Sequence, residues 1–449
     1  MIPRSGRYRQ AVEIARTLRQ AGHRAYLVGG CVRDLLRGVA PKDYDIATDA
    51  TPDLVQRLFA RTVPVGVQFG VVLVLRGKTA YEVATFRTDE GYRDGRHPDR
   101  VVFSTAEQDA QRRDFTINGL FWDPVRRRVL DYVGGRVDLR KKLIRAIGDP
   151  VCRFEEDKLR MLRVVRFAAG LEFEIEPATW SAMVAHAGAI EVVSRERIRD
   201  ELVKLLTGPH PGRGLDLLDA SGLLKILSPE VDAMKGVQQP PEFHPEGDVF
   251  THTKLLLGLL KSPTPTLALS ALLHDVGKPP TFRVRDRIRF DGHDKVGAEM
   301  AQAICMRLRC SNDDTEKIVS AVANHMRFKD VQRMRVSTLK RMLRQPNFSE
   351  ELELHRADCL ASHGQLDNWR FLKRKLKEFS APQALKPKPV LTGQDLLALG
   401  YTEGPLIGQI LRAVEEQQLE GAITTRGEAL ALVQHEFPVA DESRGGRRP

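Results

Sequence analysis

Residues 25–49, AYLVGGCVRDLLRGVAPKDYDIATD, decide the fold. The apolar run AYLV is typical of a short strand, the glycines after it mark a turn into a helix, and YDIATD predicts a second strand. Because alternate residues of a strand project from one face, Asp43 and Asp45 are predicted to converge. Paired carboxylates suit Mg²⁺ and phosphoryl transfer. Taken alone, a D-x-D motif is more often a pair of solvated carboxylates at a strand end.

The turn after the first strand contains Gly29 and Gly30 and leads into Val32, Arg33 and Asp34. It is predicted to offer backbone N–H groups to a phosphate at the helix start, with added charge from Arg33. A purely structural turn explains the same residues. With KDYDI one helix downstream, however, the two motifs form a specific signature. They resemble the class II CCA-adding enzyme and poly(A) polymerase family of the polymerase-β nucleotidyltransferase superfamily.

This resemblance implies roles for the motif residues. In the family the glycines hold a nucleoside triphosphate, here Gly29 and Gly30 with Arg33. The two aspartates hold Mg²⁺, which implies a catalytic metal role for Asp43 and Asp45. Glu82, in YEVATFR, is a candidate third catalytic carboxylate. An outward-facing strand residue is an equally good interpretation of Glu82, since its alternation with apolar neighbours fits both.

Two further stretches of the first 150 residues extend the resemblance. Residues 85–103, TFRTDEGYRDGRHPDRVVF, are similar to the flexible loop of the family. The stretch QRRDFTINGLFWD is similar to its ribose and nucleotide motif, which implies nucleotide-binding roles for Arg113, Asp114 and Asn118.

A base-selecting motif follows in EDKLR, residues 156–160. The resemblance implies that Asp157 and Arg160 pair with the incoming base. Cytosine and adenine both present an exocyclic amine beside a ring-nitrogen acceptor, so a carboxylate that accepts and a guanidinium that donates suit both. The alternative is a structural ion pair between Glu156 and Arg160, which are spaced i,i+4.

Arg160, Arg163 and Arg166 recur at every third residue of the helix that follows. This spacing places them on one stripe, with apolar residues packed behind it. We predict that the stripe binds the phosphates of RNA or of a nucleotide.

A second cluster of candidate ligands lies between residues 250 and 360. His252, the His274-Asp275 pair and Asp358 are distributed over successive predicted helices, with HDVGK as the most specific local motif. They resemble the HD phosphohydrolase superfamily, which implies that these four residues hold a divalent transition metal or Mg²⁺. The same resemblance implies accessory roles for His293 and His325, which would bind a second metal or a substrate phosphate.

The predicted fold class is α+β. A small polymerase-β-like head with a mixed sheet and helices is expected at residues 1–150. An all-α neck at 151–235 carries the base-selecting motif, an HD-type helical body follows at 236–365, and a linker with a helical tRNA-binding tail ends in a disordered segment at 366–449. No strand is expected after residue 150. A chain of 449 residues exceeds the usual size of one domain, consistent with several units.

Composition narrows the class of protein. Seventy Lys and Arg against 59 Asp and Glu give a net charge of +11, which favours a polyanionic partner. Five cysteines without a C-x-x-C pair indicate neither a disulfide framework nor a thiolate zinc site. No apolar run approaches the ~18 residues of a membrane span, and no signal-peptide pattern begins the chain. We therefore expect a cytoplasmic protein without a membrane partner.

The resemblance implies template-independent addition of CCA to the 3′ end of tRNA from CTP and ATP, with a second, phosphohydrolase activity in the HD region. One alternative is a poly(A) polymerase, or an enzyme that adds only the terminal A, because these share the head motifs. Another is an HD phosphohydrolase whose head only binds RNA.

Overall fold

The structure is a computed structural model that describes residues 6–65, 69–90, 100–379 and 385–438. It divides into two compact units, Met1–Gly236 with Ala303–Ser311, and Val237–Gln302 with Asn312–Pro449. Residues 91–99 of the predicted flexible loop, part of the linker and the predicted disordered end lie outside the described residues. The division into head, neck, body and tail stays a prediction. Among the described helices, none is both long and apolar enough to cross a membrane.

A mixed seven-stranded sheet forms the centre of the first unit. Its strands lie in the order β3-β4-β5-β2-β1-β8-β9, and the pairing of β2 with β5 is parallel while the other pairings are antiparallel. The predicted α+β class with a mixed sheet is confirmed. The nine strands up to this point are β1 (Ala25–Val28), β2 (Asp45–Thr48), β3 (Thr62–Pro64), β4 (Val71–Arg76), β5 (Thr79–Thr85), β6 (Arg87–Glu90), β7 (Arg100–Phe103), β8 (Leu120–Asp123) and β9 (Arg128–Asp131).

Both faces of this sheet are packed, because its interior strand β1 is buried at all four positions. Ala25 and Leu27 belong to a core cluster that includes residues of helix Gly6–Gln20. Tyr26 and Val28 belong to a second cluster on the opposite face. Strand alternation explains why neighbouring residues of one strand serve two cores.

Helices make up most of the rest of the first unit. They are α1 (Gly6–Gln20), α2 (Gly30–Leu36), α3 (Pro52–Leu58), α4 (Ala106–Gln111), α5 (Gly135–Lys141), α6 (Pro150–Glu156), α7 (Leu159–Leu171), α8 (Pro177–Ala185), α9 (Arg195–Leu206), α10 (Pro211–Ala220), α11 (Leu223–Leu227) and α12 (Pro229–Asp232). The expectation that no strand follows residue 150 was wrong for three short strands, one in this unit and two in the second. β10 (Leu143–Ile144) pairs in parallel with β11 (Glu174–Ile175), a segment too short to give a periodic signal.

The second unit is helical apart from one short hairpin, β12 (Arg283–Val284) and β13 (Ile288–Arg289). Its helices are α13 (Val249–Leu259), α14 (Pro265–Leu273), α15 (Lys278–Thr281), the first part of α16 (His293–Arg307), α17 (Asn312–Asn324), α18 (Val336–Leu343), α19 (Phe348–Ala361), α20 (Asp367–Glu378), Gly393–Ala398, Pro405–Glu420 and Arg426–Glu436. The last three share an apolar cluster of their own that includes Leu396, Ile410 and Val433.

Candidate active site and metal centre

The head sheet brings a set of carboxylates together. Asp45 is the first residue of β2, and β2 pairs in parallel with β5 so that Ile46 lies opposite Val83. Asp45 and Glu82, each one residue earlier, are therefore neighbours on the same face. Asp43 precedes the strand and is exposed. The pairing of β2 with β5 thus explains the placement of Asp45 and Glu82. Asp43 lies before the strand, so strand alternation does not explain its position, and its convergence with Asp45 stays a prediction.

Electrostatics shows that these carboxylates affect one another. Burial, followed by the charge of Glu82, raises the pKa of Asp45 to about 6; the Arg113 guanidinium opposes this rise and Asp43 adds to it. Like charges at close range disfavour the ionised form, which is the field that a bound cation relieves. The residues present therefore fit a divalent metal.

The glycine turn differs from its prediction in one respect. Gly29 has a φ of +74°, in the left-handed region that favours glycine, and a Cβ there would approach Arg113 Nη1 to 3.2 Å. Its N–H donates to the Leu120 carbonyl at 3.1 Å, as part of the junction with β8. That N–H is not available to a phosphate. Gly30 begins α2. A Cβ added at Gly30 would lie 3.6 Å from Nη2 of the Arg33 guanidinium.

A buried polar chain joins four of the predicted nucleotide-binding residues. Arg33 Nη1 donates to Asn118 Oδ1 at 2.8 Å, and Asn118 Nδ2 donates to Asp114 Oδ1 at 3.1 Å. Arg163 donates to Asp114 Oδ2 through Nε at 2.9 Å and Nη2 at 2.5 Å. Burial favours a higher pKa for Asp114, but the charge of Arg163 and these hydrogen bonds lower it to about 2. Asp114 is thus an anion that holds two motifs together.

Phe167 of α7 is surrounded by guanidinium groups. Those of Arg166, Arg33 and Arg163 lie 4.0, 5.2 and 5.6 Å from its ring centroid. Arg166 Nε also donates to Glu201 Oε2 at 2.6 Å. The arginine stripe therefore faces carboxylates and an aromatic ring within its own unit, and the sequence pattern gave no sign of Asp114 and Glu201 as its partners.

Arg113 lies close enough to Asp45 for its charge to act on it, and it directly precedes Asp114 of this polar chain in the sequence. It donates to Asp109 Oδ2 through Nε at 3.1 Å and Nη2 at 2.9 Å, and its guanidinium lies 5.3 Å from the centroid of the Phe121 ring. Burial favours a higher pKa for Asp109, yet Arg113 and Arg112 lower it below its usual value. Asp109 is a positioning residue that sequence analysis missed, because a single acid in a short helix has no motif.

The base-selecting motif spans a break between two helices. Asp157 is the C-terminal cap of α6, and its Oδ1 accepts a hydrogen bond from the Leu159 N–H at 3.1 Å as α7 begins. Its Oδ2 accepts from Arg197 Nη2 at 2.8 Å. Arg160 Nη1 donates to Glu156 Oε2 at 2.5 Å. The alternative pair of Glu156 and Arg160 is therefore present, although it connects two helices and Arg160 is buried.

The second unit gathers the predicted HD residues into one centre. His252 Nε2 lies 3.1 Å from Asp358 Oδ1, and His274 Nε2 lies 3.1 Å from Asp275 Oδ2. Three sets of candidate ligands have atoms within 4.8 Å of one another. Their members are His244, Glu246 and His252; His252, His274 and Asp275; and Asp275, His293 and His325.

The histidine tautomers are set by contacts on the outer ring nitrogen. Nδ1 of His274, His293 and His325 lies 2.9, 2.8 and 2.6 Å from the carbonyls of Ala271, Phe290 and Val322. Carbonyls only accept, so these Nδ1 atoms carry a proton, and each Nε2 is the nitrogen that a metal ion would bind. His252 Nε2 and His274 Nε2 are buried and each lies 3.1 Å from an aspartate oxygen, but neither makes a well-directed hydrogen bond among the described residues. Buried ring nitrogens that face carboxylates in this way fit a metal ion.

The accessory histidines join the same centre. His293 Nε2 and His325 Nε2 are 3.1 Å apart and lie 3.6 and 3.7 Å from Asp275 Oδ1. Burial lowers the pKa of His325 to about 4 against the opposing charge of Asp275, so His325 is neutral at physiological pH. Two ring nitrogens at this separation need a proton or a cation between them.

Three residues around the HD centre were missed from sequence. Glu246 Oε1 lies 2.6 Å from His252 Nδ1 and 2.9 Å from His244 Nδ1. Lys278 Nζ lies 2.7 Å from Asp275 Oδ2. Glu246 orients a ligand histidine in the manner of a carboxylate behind a metal-bound imidazole. Of these three residues, only Lys278 had a signal in the sequence, as the lysine of the HDVGK motif.

Comparison with known proteins agrees with this architecture. Residues 25–145 match the family model described as poly A polymerase head domain. Residues 172–235 match "Probable RNA and SrmB- binding site of polymerase A", and residues 249–362 match the HD domain.

Curated relatives match about half of the chain. A CCA-adding enzyme of Levilactobacillus brevis is 46% identical over 217 residues, which are 48% of this chain and 54% of the relative. One of Bacillus pumilus is 44% identical over 221 residues, 49% of this chain and 55% of the relative. The chain thus spans about half the length of the curated relatives it matches.

A solved structure extends the similarity. The CCA-adding enzyme of Bacillus stearothermophilus in complex with CTP has a TM-score of 0.74 at 26% identity, over 96% of this chain and 98% of that one. Residues 25–145 are therefore similar to the poly A polymerase head domain and residues 249–362 to the HD domain, in a chain with the fold of the CCA-adding enzymes.

Proposed function

We propose that this chain adds CCA to the 3′ end of tRNA from CTP and ATP, with release of pyrophosphate. The observation that carries the proposal is the carboxylate set of Asp43, Asp45 and Glu82, in which burial and then the charges of the other two carboxylates raise the pKa of Asp45 to about 6. These carboxylates would hold Mg²⁺, which in phosphoryl transfer activates the attacking hydroxyl and neutralises the leaving group.

The remaining head residues have roles that follow from their contacts. Arg113 lies next to the carboxylates, close enough to affect the pKa of Asp45, and is held in place by Asp109. It is therefore positioned to neutralise a triphosphate there. Arg33, Asn118, Asp114 and Arg163 form the rigid polar chain behind it. Gly29 allows the close approach of Arg113.

Base selection is assigned to Asp157 and Arg160. Both now bond within the protein, Asp157 to Arg197 and Arg160 to Glu156. An incoming cytosine or adenine would exchange these contacts for its amine and its ring nitrogen. The protein contacts keep both polar groups satisfied before the nucleotide binds.

The relatives support the choice of reaction. The Levilactobacillus brevis and Bacillus pumilus proteins are CCA-adding enzymes, and the Bacillus stearothermophilus structure contains CTP. A poly(A) polymerase and an enzyme that adds only the terminal A remain the alternatives, because they share these head motifs.

The test uses three tRNAs that end at the discriminator base, after the first C or after the second C. Each is incubated with labelled CTP or ATP. The proposal predicts CTP incorporation on the first two and ATP incorporation on the third. ATP incorporation alone on the third tRNA would identify an A-adding enzyme, and long A tails would identify a poly(A) polymerase.

We propose a second activity, the hydrolysis of a phosphoester at the HD centre. The inward Nε2 atoms of four histidines beside Asp275 and Asp358 support it. His252, His274, Asp275 and Asp358 would hold a divalent transition metal or Mg²⁺, which supplies an activated water. The test is hydrolysis of a 2′,3′-cyclic nucleotide with added Mn²⁺, Ni²⁺, Co²⁺ or Mg²⁺; no turnover with any of them would refute it.

A further inference from the structure

The hairpin β12–β13 carries a concentrated positive charge. Within seven residues it presents Arg283, Arg285, Arg287 and Arg289, and its one acid, Asp286, bonds Arg289 at 3.1 and 2.9 Å. Among the described residues, the other three arginines have no carboxylate partner, and they are exposed. Three unneutralised guanidiniums on one short hairpin favour a polyanionic ligand.

The register of the hairpin separates two faces. Arg283 pairs with Arg289, and Val284 pairs with Ile288. Directly opposed like charges destabilise a hairpin unless an anion compensates them. The apolar pair lies on the other face. Phe282, which is 40% exposed, has its ring 5.8 Å from that of Phe290.

The hairpin is rooted directly in the HD centre. Its last strand leads into Phe290, whose carbonyl contacts His293 Nδ1 at 2.8 Å. The Phe290 ring lies 5.4 Å from Lys278 Nζ, and Lys278 contacts Asp275. Arg289 is four residues from His293, so at most roughly 14 Å of chain separates them. Because Arg283 lies opposite Arg289, the base of the hairpin is within about 20 Å of His293, and a ligand that follows the arginines can reach the candidate metal ligands.

We propose that this hairpin binds single-stranded RNA and presents its 3′-terminal phosphate to the HD centre. The inference rests on the proposed hydrolase activity and names its substrate class. Successive phosphates match successive arginines, and an exposed aromatic ring stacks on any base. A mononucleotide has too few phosphates to use three arginines.

The reaction is the hydrolysis of an RNA end that carries a 2′,3′-cyclic phosphate. A water oxygen forms a bond to phosphorus while one ring P–O bond breaks. One water proton passes to the released ribose oxygen, which leaves a phosphomonoester and a free hydroxyl. No oxidant or reductant is required.

The test compares two substrates in the full-length, metal-loaded protein, an octaribonucleotide and a mononucleotide that both end in a 2′,3′-cyclic phosphate. Such ends lack the free 3′ hydroxyl that the head would extend. The variant combines Arg283→Gln, Arg285→Gln and Arg287→Gln. Its kcat/KM on the oligonucleotide is expected to fall at least about tenfold, with a salt dependence weaker by about two counterions. On the mononucleotide the fall is expected to stay below about twofold.

A matched control removes three exposed cations from the turn of the antiparallel pair β8–β9, through Arg126→Gln, Arg127→Gln and Arg128→Gln. An equal loss in this control, an equal loss on both substrates or no loss at all would overturn the proposal. If the wild type hydrolyses neither substrate, the hydrolase proposal fails. Ultraviolet crosslinking of a 4-thiouridine oligonucleotide then decides on the hairpin: adducts within residues 282–290 support RNA binding there, and their absence refutes it.

Discussion

Each candidate site contains a buried aspartate, but the surroundings shift the pKa values of the two aspartates in opposite directions. In the head, Asp45 lies beside Glu82 and Asp43, and burial together with this repulsion raises its pKa to about 6. In the HD centre, burial also acts on Asp275, but His274 and Lys278 hold its pKa well below the usual value. The head site therefore holds an excess of negative charge, and the HD centre holds its own cations.

This difference bears on how each site meets its ligand. The head carboxylates lie on and just before the interior strands β2 and β5, and Asp43 and Glu82 are exposed, as a site that receives a succession of RNA ends requires. The HD histidines are buried and have their outer nitrogens fixed by carbonyls or by Glu246. A preformed set of this kind binds a metal with little reorganisation. The two sites are expected to fail independently.

The largest effect is expected in the head. Asp45→Asn removes one charge from the carboxylate set, and nucleotide addition should fall by roughly 10³-fold or more, because the transition-state charge loses its counter-ion. Incorporation of labelled CTP into tRNA measures this. Asp53→Asn, an exposed acid of α3, should change the rate less than about twofold. Near-normal addition by Asp45→Asn would refute the head assignment.

The corresponding substitution in the HD centre is Asp275→Asn. This change should lower metal affinity at least about 100-fold and abolish cyclic-phosphate hydrolysis, while nucleotide addition stays within about twofold of wild type. Metal content by mass spectrometry and both activity assays measure the outcome. The exposed Asp367→Asn serves as control. A parallel loss of nucleotide addition would contradict the independence of the sites.

Base selection gives a smaller effect. Asp157→Ala should reduce discrimination against UTP and GTP roughly 10- to 100-fold, because a carboxylate that faces the uracil carbonyl otherwise leaves two acceptors unpaired. The ratio of kcat/KM values for all four nucleotides measures it. Glu156→Gln weakens the pairs with Arg160 and Arg153 but leaves Asp157 in place, and it should retain discrimination. If Asp157→Ala keeps wild-type discrimination, the pair of Glu156 and Arg160 is the better account of the motif.

The smallest effect concerns stability without metal. The pKa of Asp45 rises from 3.8 to about 6 on folding, so the folded state binds more protons in this window and loses stability as pH increases through it. At about pH 8 the penalty is about 3 kcal/mol at most. In EDTA, Asp45→Asn should therefore raise the thermal midpoint by several degrees at that pH and lose the advantage near pH 4. If the variant and the wild type had the same thermal midpoint at both pH values, the raised pKa of Asp45 would be contradicted.

Much of this was predictable from sequence where a periodic pattern or a compact motif existed. The strands at β1, β2 and β5 and the α+β class follow from alternation and from the glycine turn. The candidate HD ligands followed from the resemblance and its HDVGK motif, and the structure brings them close together. The break between α6 and α7, in contrast, depends on the local cap at Asp157, and the run EDKLR alone does not reveal it.

Long-range partners were the part that sequence could not supply. Asp109, Glu201 and Glu246 are single acids in ordinary helical or loop sequence, and each gains its role only through a contact made by folding. The Gly29 N–H was expected to bind phosphate, but its partner, the Leu120 carbonyl, lies 91 residues away in the chain. Tertiary pairing of this kind has no local signal.

The central claim, that the head completes the CCA end of tRNA, is tested most directly by sequencing product ends. Wild-type protein is incubated with a tRNA that ends at the discriminator base and with all four nucleoside triphosphates. The account predicts that most extended molecules end in CCA and grow no further. Extension by A alone, long A tails, or an unextended tRNA under conditions in which the HD centre is active would contradict it.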